Sequence, residues 1–174
     1  MIKPEEVAGQ AKRKENENIR FRSYLKNHAD EETLDRQFLE LHKEIFDGYD
    51  CSKCRNCCKM YPGTIPESDL EKDAEGLKLT REQFIEFFLE RGAMPWEYQT
   101  KHMPCDFLKE DGTCMLGENK PDNCSRYPYT DQPYRLESLY SVLDAVEVCP
   151  AAYEIWERLK KIYGFRTGTD KSRG

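Results

Sequence analysis

The sequence lacks what would mark an export signal, a membrane span or a nucleic-acid surface. Its first residues, MIKPEEVAGQAKRKENENIR, contain no apolar run able to serve as a secretory h-region or to cross a bilayer. A cytoplasmic location without membrane insertion is the expectation. Basic charge is also short: 27 Lys and Arg stand against 33 Asp and Glu, a formal net charge of -6, whereas phosphate contacts over a broad face depend on a basic excess. No nucleic-acid partner is expected. Apolar residues are lean at 38% beside 34% charged, so burial alone is a thin source of cohesion for one domain of this length, and metal coordination is a candidate supplement.

Marks of familiar catalysis are missing too. No Ser-His-Asp set, HExxH motif, GxGxxG loop or paired carboxylates stand out from solvated helix faces. Histidine is scarce. His42 falls within a helix, His28 precedes it, and His102, three residues before Cys105, is the one worth following as a metal ligand.

Cysteine is what the chain does have: eight residues, all between positions 51 and 149. Four of them, Cys51, Cys54, Cys57 and Cys58, crowd into DCSKCRNCCKMYPG. In a reducing compartment such thiols read as metal ligands or redox groups rather than as four disulfides, and adjacent Cys57 and Cys58 suit structural bridges poorly.

Around the cysteines the pattern is mainly helical. Residues 1–25 read as a polar N-terminal arm or frayed helix, 26–164 as a single cysteine-cluster metal-binding domain, and 165–174 as a disordered tail. Asp30 caps an amphipathic helix with Leu34, Phe38, Leu41 and Ile45 inward, stopped by Gly48. Two capping boxes, Ser68 with Glu71 and Thr80 with Gln83, predict helices ending near Gly76 and Gly92. Asp111-Gly112 predicts a tight hairpin that brings Cys105 and Cys114 together at its base. KPDNCSRYPYTDQPY reads as an irregular loop holding Cys124, RLESLYSVLDAVEV as helix or strand, and AAYEIWERLKKIYG as a helix. The expected architecture is a small, cysteine-rich, metal-centred helical domain with one short β-hairpin.

Two partitions of the thiols follow from two local geometries. If residues 51–58 form a loop, Cys51, Cys54 and Cys57 wrap a cluster in the manner of the ferredoxin run, with Cys149-Pro150 supplying the fourth ligand. If they form a helix, Cys51, Cys54 and Cys58 share one stripe and Cys57 points about 100° away from Cys58. In either case Cys57 and Cys58 serve different sites. Cys105, Cys114 and Cys124 join whichever of the two is left over. Soft thiolates accept zinc and iron–sulfur clusters alike. The tandem spacing and Cys149-Pro150 favour a 4Fe-4S cluster, while the Cys105/Cys114 pair favours zinc. Arg126 is a candidate donor to the thiolates from outside the ligand set.

The ordered blocks CSKCRNCC, PCDFLKEDGTC, KPDNCSRYP and CP resemble the CxxCxxCC cysteine-cluster family of zinc- or iron-chelating domains, over about residues 47–152. YkgJ-type proteins and flagellin lysine N-methylases share this signature. The resemblance implies a bacterial or archaeal protein with metal ligands Cys51, Cys54, Cys57, Cys58, Cys105, Cys114, Cys124 and Cys149. Where family members commonly carry Arg, this chain has Lys120 before Pro121 and Ser125 after Cys124.

Three functions are carried forward. The first is a metal-binding protein with one or two Cys-ligated centres, iron–sulfur and redox-active, working with a protein or redox partner. The second is a structural zinc domain for protein contacts. The third is an enzyme, an iron–sulfur oxidoreductase or a methylase-like activity, with no catalytic residue marked by the sequence.

Overall fold

The computed structural model describes residues 1–166. In chain order its elements are α1 (Val7–Arg13), α2 (Glu15–His28), α3 (Glu31–Phe46), α4 (Cys51–Cys54), α5 (Asn56–Met60), β1 (Thr64–Pro66), α6 (Leu70–Gly76), α7 (Arg81–Phe88), β2 (Leu89–Arg91), β3 (Glu97–Thr100), α8 (Asp122–Ser125), α9 (Leu139–Val146) and α10 (Pro150–Ile162). The protein is mainly α, with a small antiparallel sheet. The chain divides into two compact units, one of residues 1–49 with those from 128 onward, the other of residues 50–127.

The first unit is helical. Asp30 caps α3 by accepting from the Thr33 N–H at 2.9 Å, and Leu34, Phe38, Leu41 and Ile45 are buried at the predicted period. The segment that reads as helix or strand is the helix α9, since Leu139, Val142, Ala145 and Val146 bury one helical face. α10 packs against α3 and α9 and buries Ile155, Trp156 and Leu159. Residues 1–25, expected as an arm or a frayed helix, contain α1 and most of α2: α1 buries Val7 and Ala11, and α2 buries Phe21 and Leu25. Their polar majority conceals two anchoring devices. The Phe21 ring lies edge-on to Trp156 at 4.9 Å, and Asn18 accepts from the Trp156 indole at 3.1 Å. At the other end Phe165, the first residue of the expected tail 165–174, packs its ring 5.0 Å from Phe21, and the rest of that tail from residue 167 lies outside the described residues.

The second unit holds seven of the eight cysteines. Thr80 and Gln83 form their capping box at the start of α7. Ser68 does not cap α6, because a single 3-10 turn, Glu67–Asp69, precedes that helix and the Ser68 hydroxyl turns to Asp69 instead. α7 stops at Phe88, four residues short of Gly92, because Leu89–Arg91 pair as β2 with β3. Sheet order is β1-β3-β2, with Ile65 opposite Tyr98 and Leu89 opposite Thr100. This tertiary pairing overrides the helical period that runs into it. Ile65, Leu70, Phe84, Tyr98, Phe107 and Leu116 form the core, and Cys105 and Cys114 pack on its edge.

Candidate metal centre

The cysteine-dense run is neither a plain loop nor one helix. Asp50 accepts from the Ser52 N–H at 2.9 Å and starts the single turn α4, then Arg55 adopts the left-handed conformation (φ 53, ψ 21) and α5 begins at Asn56. A continuous i, i+3, i+7 stripe through Cys51, Cys54 and Cys58 is therefore absent. Cys58, beyond the break, lines a cavity that Cys51 and Cys54 do not.

Three further segments converge on Cys58. The Cys105 N–H donates to the Cys58 carbonyl at 2.8 Å. Between Cys105 and Cys114 the chain reverses around Asp111-Gly112, with Gly112 at φ 80, the Lys109 N–H donating to Thr113 at 2.9 Å, and Leu108 and Cys114 forming one antiparallel bridge. The predicted reversal is there, reduced to a single bridged pair. Asp111 stabilises it by accepting from the Thr113 N–H and hydroxyl at 2.9 and 2.6 Å. Cys124 sits in the short turn α8, which Asn123 ties to β1 by donating to the Thr64 carbonyl at 3.3 Å.

The result is a cavity of about 30 Å³ whose wall includes Cys58, Cys105, Cys114 and Cys124, together with Arg55 and Lys120. Ile65, Phe107 and Leu116 close its apolar side. Gly63 is also at the wall, and a Cβ there would stand 2.9 Å from the Cys105 sulfur, so the backbone approaches this thiol too closely for a side chain. All eight cysteines are free thiols. Among the described residues, no three His, Cys, Asp or Glu side chains stand together closely enough to hold an ion as placed.

The thiols differ in acidity. Cys58 is pulled down to about 6, first by its hydrogen bond with Cys57, whose sulfur is 3.9 Å away, against the opposing effect of burial, and then by the charges of Lys120 and Arg55. Burial pushes Cys124 up to about 11, against a hydrogen bond to the Thr64 backbone. Burial likewise raises Cys105, and it raises exposed-edge Cys51 despite nearby Arg55. Such a set binds metal only by shedding protons, and Cys58 is the most readily available thiolate among those shifted. Four soft sulfur donors around one small cavity suit zinc or iron in chemistry and number.

The remaining candidates fall elsewhere. Cys51, Cys54 and Cys57 do not line the cavity. Cys149 belongs to the first unit, where it stands at the N-cap position of α10 without a side-chain capping bond and donates its N–H to the Ala145 carbonyl at 2.7 Å. His102 is exposed and bonds Asp106 at 2.8 Å, His42 bonds Thr130 at 2.9 Å, and His28 packs on Tyr24. Arg126 is exposed, whereas Arg55 and Lys120 are the cations at the cavity. Sequence reasoning noted Lys120 only as a departure from the family's Arg and passed over Arg55, one of two basic residues inside the cysteine run.

A cysteine-lined cavity assembled from four segments of a small helical unit defines a metal-chelating module. The chain belongs to the CxxCxxCC family, described as a "putative zinc- or iron-chelating domain", whose model matches residues 50–150. No curated protein and no solved structure matches it. Among the described residues, no helix is long and apolar enough to cross a membrane.

Proposed function

We propose that this protein is a metal-binding protein that holds one divalent zinc or iron ion on Cys58, Cys105, Cys114 and Cys124. The observation that carries this reading is the convergence of these four thiols, from four separate segments, on one cavity. Four soft sulfur donors make up the complete ligand set of a tetrahedral zinc or iron ion. Binding requires the thiols to turn inward and to release their protons. The ion would join α5, both ends of the Cys105–Cys114 loop and α8, a structural gain for a unit with a lean core.

The 4Fe-4S reading is retained as the second, because Cys51, Cys54 and Cys57 keep the ferredoxin spacing outside this cavity and Cys149-Pro150 remains in the chain. The distinguishing experiment is absorption spectroscopy with zinc, iron and acid-labile sulfide analysis on anaerobically purified protein and its cysteine variants. Serine at Cys58, Cys105, Cys114 or Cys124 is expected to abolish binding of one ion, and serine at Cys51 or Cys54 to leave it bound. A brown protein with iron and sulfide in similar amounts, lost on Cys51→Ser, would overturn the single-ion reading in favour of the cluster.

A further inference from the structure

Four thiolates around one divalent ion form a net dianion, and a partly buried dianion is costly unless positive groups face it. Two cations line the same cavity, and both are half-buried: Arg55 and Lys120. Neither lies within ion-pair distance of a carboxylate among the described residues. Arg55 also acts at longer range on exposed Asp50, and both cations act on Cys58 at the cavity wall. Their numbers also match: two positive charges balance a divalent ion with four thiolates, and would leave one in excess over a trivalent ion.

The two cations are anchored differently. Arg55 donates through Nε to the Gly112 carbonyl and also hydrogen-bonds Cys58, so one side chain joins the cysteine run to the loop that carries Cys114. Lys120, directly before buried Pro121, has no such bridging bond among the described residues and reaches the cavity as a point charge.

We infer that Arg55 and Lys120 are the charge-compensating pair of the metal centre, Lys120 through charge alone and Arg55 through charge and positioning, and that together they favour a divalent occupant. This rests on the four-thiol reading of the cavity. The test is zinc affinity of the full chain, measured by competition with a chromophoric chelator, alongside the cobalt(II) spectrum of each variant. Lys120→Met is expected to weaken zinc binding by about 10-fold or more, with the thiolate-to-cobalt charge-transfer intensity per bound ion unchanged because all four sulfurs remain. Lys120→Arg is expected to restore affinity, and Arg55→Gln to lower affinity and to broaden the cobalt bands by loosening Cys58 and Cys114. Wild-type affinity in Lys120→Met, or equal loss in Lys120→Arg and Lys120→Met, overturns the inference. Should Arg55→Gln fail to fold, the Lys120 pair still decides. Failure of the underlying reading looks different: the wild-type protein itself would lack a four-thiolate cobalt spectrum, whatever the lysine variants do.

Discussion

The Arg55 guanidinium donates to the Gly112 carbonyl, and this single bond closes the distance between the left-handed break in the cysteine run and the turn of the Cys105–Cys114 loop. Gly112 answers with its own close approach. A Cβ at this residue would lie well inside contact distance of the Ser52 carbonyl, and its φ of +80 is one that side chains rarely adopt.

Gly112→Ala is accordingly expected to destabilise the second unit by about 2–4 kcal/mol, combining backbone strain with a backbone clash. Urea unfolding of metal-free protein checks it. A midpoint equal to wild type would show that the loop reaches α4 differently.

Gly63→Ala tests the same wall from the β1 side. The added methyl must displace the Cys105 sulfur, which turns about one bond. The expected outcome is a modest stability loss, about 1 kcal/mol, with a larger effect on the centre: altered cobalt(II) bands and weaker zinc binding. A wild-type cobalt spectrum would place Cys105 outside the ligand set.

Asp73 predicts a pH dependence. It is fully buried on α6, neither carboxylate oxygen has a hydrogen-bond partner among the described residues, and burial raises its pKa from 3.8 to about 6. With the folded value above the unfolded one, its contribution is fully present below about pH 4 and is lost as pH rises to about 6. The loss is about 2–3 kcal/mol by pH 7. Asp73→Asn should therefore be more stable than wild type at pH 7.5, and the gap should close at pH 4.5, in parallel urea titrations. A pH-independent difference would count against the buried acid.

Lys160 tests the first unit. Its buried ammonium donates to Glu17 at 2.7 Å, Asn18 at 2.7 Å and Glu157 at 2.6 Å, and Lys14 bonds the other Glu157 oxygen at 2.5 Å. Burial alone would raise the Glu157 carboxyl, yet bonds from Lys14 and Lys160 outweigh it and hold it below its ordinary value. Lys160→Ala is expected to cost about 3–5 kcal/mol by stranding these acceptors, read as a lowered urea midpoint. Because Glu157 is depressed, the contribution of its ion pairs is present above the ordinary glutamate pKa and fades as pH falls through the folded value, so the penalty should shrink in acid.

Much of the helical frame was legible because its signals are local. Asp30 with Thr33, Thr80 with Gln83, and the periodic Leu34, Phe38, Leu41 and Ile45 need no distant partner to be read. The sheet was not legible, since Leu89–Arg91 continues a helical pattern and becomes a strand only when Glu97–Thr100 lies beside it. The order of residues 1–25 was hidden for a similar reason: Asn18 looks like a polar surface residue until Trp156 and Lys160 reach it from the other end of the chain.

By itself the sequence determined that the chain is a cysteine-cluster metal-chelating protein with a mainly helical frame, because thiol number, spacing and caps are properties of short segments. Only the tertiary structure decided which thiols share a cavity wall. The left-handed Arg55 breaks the cysteine run, and three remote segments bring Cys105, Cys114 and Cys124 to the wall that Cys58, Arg55 and Lys120 also line. A ligand set depends on distances between segments that are far apart in the chain, and spacing along the chain does not contain those distances.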